Sequence, residues 1–204
     1  MDEFKLNQIH FDVLREVGNI GAGNAVTSLS KMLDRKVDMS VPNVSMVDFA
    51  DVSNFIGGPE NLVAGILVNL GGDINGIMMF LTEEKYCVPL IQELFGNTGL
   101  FGEGEGLNEV VLSALKEVGN ILAGAYLSSL ADLIQKKISP STPSICIDMA
   151  GAILSVPAIE FSKVADQVLL IESVFETMTM DISGYFILVP DFESFKTIFT
   201  SLGV

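Results

Sequence analysis

The residues best suited to chemistry in this 204-residue chain are a glutamate and an asparagine that recur at a fixed spacing. Glu16 and Asn19 stand three residues apart, and Glu117 and Asn120 repeat the pair 101 residues later. An asparagine amide can donate to or accept from a water molecule and so fix the direction of its attack. Because the amide does not titrate near neutral pH, its contribution is positioning rather than proton transfer.

Each pair belongs to a longer repeated segment. Residues 6–43 and 107–144 align without gaps at the same offset, with fifteen identities in thirty-eight positions. A repeat of this length predicts two related halves. The shared motif has four members in each copy: Asp12, Glu16, Asn19 and Pro42, then Ser113, Glu117, Asn120 and Pro143.

Two long helices, one in each copy, are expected to position these pairs. Asn7 and Asn108 are suitable N-caps, and the basic pairs at 35–36 and 136–137 suit the negative end of a helix dipole. A turn of 100° per residue predicts one buried stripe on each helix. These stripes contain Leu14, Val17, Gly21, Ala25, Ser28 and Met32, and Leu115, Val118, Leu122, Tyr126, Ser129 and Leu133.

The motif residues fall on the opposite, outward face, where glutamate and asparagine usually serve solubility alone. Two observations favour a function. The pair is kept in both copies while neighbours change, as Asn24 does to Ala125. Gly23 and Gly124 lie one turn beyond the asparagine, although a helical glycine costs about 1 kcal/mol relative to alanine. A missing side chain there would let another surface approach closely, so both glycines are assigned supporting roles.

The complete motif, present twice, resembles the signature of the CheC/CheX/FliY family of chemotaxis phosphatases, and the duplicated layout is that of its CheC branch. CheX-like proteins have a single motif, and FliY-like proteins carry an additional C-terminal flagellar-switch domain. The resemblance covers essentially the whole chain. It implies hydrolysis of the aspartyl phosphate on the chemotaxis response regulator CheY.

The resemblance also implies roles and partners. Asn19 and Asn120 would orient the attacking water, and Glu16 and Glu117 would pair with a lysine in the active site of the regulator. The charge-neutralising Mg²⁺ would belong to the regulator, so no metal or cofactor is expected in this chain. The receptor deamidase CheD is a further implied partner. The alternative is a non-catalytic chemotaxis adaptor that binds CheY or CheD through the same faces.

The remaining motif positions are expected to support this site. Asp12 and Ser113 differ chemically at one motif position, which argues against a nucleophile and favours hydrogen bonding to the glutamate or the partner. Pro42 and Pro143 are expected to shape the following strands. The single histidine, His10, has no counterpart in the second copy and is interpreted as incidental.

Composition excludes several classes of function. A net charge of −15 argues against nucleic acid and against anionic membrane surfaces. Neither a signal peptide nor an apolar run of membrane-spanning length is evident, which favours the cytoplasm. Cys87 and Cys146 are isolated, as is common for thiols in a reducing compartment, with a disulfide as the minority alternative. The mean hydropathy is positive, which suggests that a partner covers some apolar surface.

The predicted fold class is α+β, with a largely antiparallel sheet and the two long helices exposed on one face. Each half, at about 1–100 and 101–204, is predicted as helix, strands, hairpin and helix within one pseudo-symmetric domain. Such a duplication can replace a homodimer, so a monomer or a heterocomplex is expected. Local predictions include a loop at 51–60, a turn at 71–73, an N-cap at Thr82, a linker at 96–106 and a strand at 153–157.

Overall fold

Helices and antiparallel strands follow one another in two similar halves. The computed structural model describes residues 8–34, 36–40, 43–96, 107–161, 167–176 and 181–203. The predicted α+β class is confirmed. In these ranges the helices are α1 (Gln8–Leu33), α2 (Val52–Phe55), α3 (Glu84–Phe95), α4 (Glu109–Ile134), α5 (Ala150–Phe161) and α6 (Phe192–Ser201), with one 3₁₀ turn at Phe49–Asp51. The strands are β1 (Asp38–Met39), β2 (Asn43–Asp48), β3 (Leu62–Gly72), β4 (Gly76–Glu83), β5 (Ile138–Pro140), β6 (Ser144–Met149), β7 (Gln167–Glu176) and β8 (Asp181–Pro190).

The two long helices, α1 and α4, have the same length and the same register in the repeat. Each has 26 residues. The Asn108 side chain caps α4 by accepting from the amides of Val110 and Val111 at 3.1 and 3.0 Å, as predicted. The corresponding cap of α1, Asn7, lies outside the described residues. Both helices are followed by a non-glycine residue with a left-handed backbone, Asp34 or Gln135.

The two halves share a single antiparallel sheet. Its strand order is β1–β7–β8–β4–β3–β5, with β2 also paired to β7 and β6 to β3. The halves meet at the central β4–β8 pair, where Gly76 lies opposite Pro190. Each half also lends strands to the other, because β2 pairs with β7 and β6 pairs with β3. The boundary between the halves stays a prediction, since residues 97–106 lie outside the described part.

Side chains alternate between the two faces of the sheet and form two apolar clusters. Phe80 and Phe186 point to the face covered by α1, α3, α4 and α6. Met79 and Ile187, one residue away, belong to the cluster under α2 and α5. The sheet is therefore buried on both sides, which explains why its central strands are apolar at nearly every position.

The buried faces of α1 and α4 are broader than the predicted stripes. Ser28 and Met32 in α1 and Leu133 in α4 are exposed, contrary to the prediction. Leu29 and Leu130 are buried instead. Because α1 packs against both α4 and the sheet, and α4 against both α1 and the sheet, each helix buries more than one stripe.

Three local predictions were wrong. The span 153–157 belongs to α5, where a run of apolar residues suits burial on the second face of the sheet rather than a strand. Residues 51–60 contain α2, held by the buried Val52 and Ile56. Thr82 lies in β4 and donates to the Ser183 carbonyl at 3.0 Å, so it does not cap α3.

The first hairpin turns later than predicted. Gly71 and Gly72 continue β3 and pair with β5, while the turn comprises residues 73–75. The Asp73 carboxylate accepts from the Lys137 amide at 2.9 Å, and the Asp73 amide donates to the Lys137 carbonyl at 2.9 Å. Asp73 therefore holds the hairpin to the segment that follows α4.

Length and composition alone would allow α4 to span a membrane, although no apolar run of that length was expected from the sequence. Half of the relevant window is buried inside the protein. Most of its apolar side chains lie in the cluster shared with α1 and the sheet. The hydrophobicity of α4 is accounted for by its position in the core.

Candidate functional site

The repeated glutamates lie on the outward face of α1 and α4, as the periodicity predicts. Glu16 and Glu117 are both exposed. Within the described part of the chain, neither carboxylate has an ion pair or a hydrogen-bond partner. Both are therefore available to a cation from another molecule.

The two asparagines differ in their surroundings. Asn120 is exposed, whereas Asn19 is half-buried. The Oδ1 atom of Asn19 is buried and has no hydrogen-bond partner among the described residues. An unpaired buried acceptor costs about 1–3 kcal/mol, so the Asn19 amide would gain by turning toward a water or a docked donor.

The glycines of these helices fall into two classes. A Cβ on Gly23 or Gly124 would meet nothing within 4 Å, so the surface beside each asparagine is open. A Cβ on Gly119 would lie 2.5 Å from Cδ1 of Ile66, and one on Gly21 would strike the ring of Tyr126. The first class leaves room for a partner, and the second lets the helices pack closely.

The supporting motif residues occupy varied positions. The Asp12 carboxylate accepts from Nη2 of Arg15 at 2.6 Å, one turn away on the same helix. Ser113 is exposed, and Pro143 is buried directly before β6. Pro42 and the side chain of His10 lie outside the described residues, so their assignments stay predictions.

Tyr126 fixes α4 to the sheet beneath the site. Its ring lies 4.6 Å from that of Phe186, and its hydroxyl shares a 3.1 Å hydrogen bond with Oγ of Ser173. Burial raises the pKa of Tyr126 to about 12, so the phenol stays neutral. Sequence periodicity placed Tyr126 in the core but gave no indication of these partners.

A short polar link joins the two motif helices. Asn24 on α1 donates through Nδ2 to Oγ of Ser129 on α4 at 2.9 Å, and that hydroxyl donates to the Ala125 carbonyl at 2.8 Å. No motif or periodicity in the sequence predicts this link. The only signal was that Asn24 is replaced by alanine in the second copy.

Neither a metal site nor a reactive thiol is found among the described residues. Within the described ranges no group of three His, Cys, Asp or Glu residues could hold a metal ion. Cys87 and Cys146 are free. Burial raises the pKa of the Cys87 thiol to about 12 and also raises that of Cys146, so both thiols stay protonated and are poor nucleophiles. The exposed amide and carboxylate of each motif can orient a water and bind a cation, but they cannot supply a covalent nucleophile.

Comparisons with known proteins identify the family of this chain. The family model described as "CheC-like family" matches residues 9–46 and 110–147. The chain is 36% identical over 200 residues to the CheY-P phosphatase CheC of Bacillus subtilis (strain 168), covering 97% of this chain and 96% of that protein. It is 31% identical over 140 residues to the flagellar motor switch phosphatase FliY of the same organism, covering 69% of this chain but 36% of that protein.

A solved structure shows the same fold. The crystal structure of FliY from Thermotoga maritima superposes with a TM-score of 0.74 at 24% identity, covering 98% of each chain. At this identity the match concerns the fold alone. The two family-model segments coincide with the two motif helices and the strands that follow them, and the similarity to the Bacillus protein spans nearly the full length. By its sequence similarity, this chain belongs to the CheC-like family.

Proposed function

We propose that this chain is a phosphatase that hydrolyses the aspartyl phosphate of the response regulator CheY. The names of its Bacillus relatives support this reaction class. The observation that carries the proposal is the presence of two unpaired glutamates, Glu16 and Glu117, each one turn from a motif asparagine on an outward helix face.

The chemistry requires a water held in line with the leaving carboxylate. The oxygen of the water attacks phosphorus, the bond from phosphorus to the aspartyl oxygen breaks, and its electron pair leaves with the regulator carboxylate. A proton is lost from the attacking water to solvent or to the phosphate formed. Asn19 or Asn120 would direct the water by hydrogen bonding, since phosphoryl transfer depends chiefly on positioning and electrostatics.

The glutamates would dock the helix. Glu16 or Glu117 would pair with a lysine in the regulator, which places the amide one turn away above the phosphoryl group. We propose that Mg²⁺ is held by the regulator and that this chain needs no metal or cofactor. Treating the phosphatase alone with a chelator, and removing the chelator before mixing with Mg²⁺-loaded regulator, should leave the rate of dephosphorylation unchanged.

The decisive experiment follows loss of radioactive phosphate from phosphorylated CheY. The double variant Asn19→Ala/Asn120→Ala should lower turnover about 10²–10³-fold, as loss of a well-placed hydrogen-bonding group typically does. Asn24→Ala is the matched control, because it removes an amide from α1 at a position where the second copy already has Ala125. A double variant that keeps the wild-type rate would refute the proposal.

The alternative is an adaptor that binds CheY or CheD without chemistry. In that case the double variant would change affinity but not the rate of phosphate loss at saturating protein. Measuring the rate across a range of phosphatase concentrations separates the two functions.

We also propose that the chain binds CheD and acts in the cytoplasm as a monomer or as part of a heterocomplex. The family resemblance implies CheD. Exposed apolar side chains at Phe55, Leu62 and Met149 are compatible with a covered surface. Size-exclusion chromatography with light scattering, with and without CheD, tests the oligomeric state and the binding of CheD. A homodimer would contradict the first, and two separate peaks in the mixture would contradict the second.

A further inference from the structure

Exposed apolar side chains recur at equivalent positions of the two motif helices. Ile9 near the start of α1 is 57% exposed, and Val110, its counterpart in α4, is 47% exposed. A single exposed aliphatic residue needs no explanation. Here, however, the apolar character and the exposure are both kept across the duplication, although the residue itself has changed.

These two residues lie in line with the motif glutamates. Ile9 precedes Glu16 by seven residues, as Val110 precedes Glu117. Seven residues make nearly two helical turns, so the apolar side chain and the carboxylate lie on the same side about 10.5 Å apart along the axis. Four residues beyond Glu16, on this same side, Ile20 is 40% exposed.

The line continues over the open glycines. Gly23 and Gly124 lie seven residues beyond the two glutamates and offer no side chain to an approaching surface. Each helix therefore presents an apolar residue, a carboxylate and a bare backbone in order along one side. This pattern suits a protein surface that has an apolar patch on one side of a cation and comes close to the helix on the other.

We propose that Ile9 and Val110 are apolar anchors that bind the phosphorylated regulator, each packing against an aliphatic or aromatic patch beside the lysine that pairs with the glutamate. This inference rests on the proposed function and extends it, because it assigns the residues that determine affinity for that partner. The anchors lie ten residues, nearly three helical turns, from the asparagines that direct the water, so they contribute to docking and not to the chemical step.

The chain contains a matched control for this proposal. Met32 and Leu133 are also equivalent, aliphatic and exposed, at 40% and 39%. They lie thirteen residues beyond the motif asparagines, which at 100° per residue places them on the other side of each helix. Replacing them removes a similar amount of exposed apolar surface without altering the proposed docking line.

The experiment compares two double variants, Ile9→Gln/Val110→Gln and Met32→Gln/Leu133→Gln, since glutamine is a good helix former. Binding to CheY loaded with beryllofluoride, a stable mimic of the acyl phosphate, is measured by titration calorimetry. The anchor variant should raise Kd about tenfold, in keeping with the loss of one buried aliphatic side chain at each interface. The control variant should bind like the wild type.

Turnover supplies a second readout. The anchor variant should raise KM about tenfold and leave kcat within about twofold, because the contact is made equally before and during the reaction. An unchanged Kd, an equal effect of both double variants, or a fall in kcat at constant KM would each overturn the anchors. If wild-type protein binds loaded CheY but releases no phosphate, the proposed function fails while the binding comparison still decides the anchors.

Discussion

The two motif helices agree at their outward motif positions, whereas the position that packs one helix against the other has changed in size. On the outward side, the glutamate, the asparagine and the open glycine occupy equivalent positions in both helices. Inside, α4 carries Tyr126 where α1 carries Ala25, and Tyr126 occupies the space left by Gly21. A tyrosine of one copy thus fits against a glycine of the other, and the packing is no longer symmetric.

This difference shows which features the duplicated chain retained. An outward face can keep its pattern in each copy independently, because its side chains contact solvent. The inner faces contact each other, so a larger residue on one helix requires a smaller residue on its neighbour. The polar link from Asn24 to Ser129 follows the same rule, since it has no counterpart with the two helices exchanged: position 24 corresponds to Ala125.

Substitution of Tyr126 should change the free energy of unfolding more than any other variant proposed here. Tyr126→Ala would give α4 the residue that α1 has at this position, yet should lower the free energy of unfolding by about 3–5 kcal/mol through loss of a large buried aromatic. Tyr126→Phe should cost about 1 kcal/mol, because it removes only the hydrogen bond to Ser173. Urea denaturation measures both values. A loss below about 1 kcal/mol for the alanine variant would mean that the helices pack alike.

The dependence of the free energy of unfolding on pH tests the two halves separately, through one buried titratable group in each. Burial raises the pKa of Cys87 in α3 from 9.0 to about 12 and that of Tyr126 from 10.0 to about 12. The unfolded chain therefore loses these protons first as the pH rises. The free energy of unfolding should fall by roughly 1.4 kcal/mol per pH unit for each group, from about pH 9 for Cys87 and about pH 10 for Tyr126.

Two variants show which group causes each part of the fall in the free energy of unfolding. Cys87→Val should reduce the fall that begins near pH 9, to which Cys146 also contributes. Tyr126→Phe should reduce the fall that begins near pH 10, to which Tyr185 also contributes. Denaturation midpoints measured between about pH 8 and pH 11 give the slopes. Identical slopes in wild type and both variants would show that neither group is buried as described.

Alanine substitutions should change the stability of the protein in opposite directions for the two classes of glycine. Gly21→Ala should destabilise the protein by about 1–3 kcal/mol, because its methyl group would overlap the Tyr126 ring. Gly23→Ala, two residues away, meets open space and should stabilise by up to about 1 kcal/mol through helix propensity. Thermal unfolding compares them. If the proposed docking is correct, Gly23→Ala should also weaken binding of the regulator while raising Tm.

The smallest expected effect compares the two asparagines. Asn120 is exposed, whereas Asn19 must turn its buried Oδ1 outward before it can direct a water. Asn120→Ala should therefore lower turnover more than Asn19→Ala, by roughly two- to fivefold, which corresponds to about 1 kcal/mol or less. Single-variant rates at saturating phosphorylated CheY give the ratio. Equal losses would mean that the Asn19 amide reorients freely.

Much of the fold followed from local patterns. The offset of 101 predicted two helices of the same length and register, and Asn108 was correctly assigned as a cap because a capping side chain needs only its own first turn. Predictions failed where distant residues decide. The span 153–157 is helical because α5 covers the second face of the sheet, and Thr82 is directed to Ser183 by a neighbouring strand.

Some features of the candidate site were likewise predictable from local sequence, and others were not. The outward placement of Glu16 and Glu117 was predicted, because helical periodicity alone sets which side faces solvent. The half-buried state of Asn19 and the link from Asn24 to Ser129 were not, because they depend on how α1 and α4 meet. The chemical roles of the motif residues stay predictions until the variants are measured.

Residue spacing was enough to establish the duplication, the helical face that carries each glutamate and asparagine, and the resemblance that points to phosphoryl chemistry. These are properties of short-range spacing along one helix. The folded arrangement was needed to show that each half contributes edge strands to the other and that Tyr126 packs on Gly21. It was also needed to show that the two asparagines differ in exposure. Such features arise from contacts between residues far apart in the chain, where the volume and polarity of both partners must match at once.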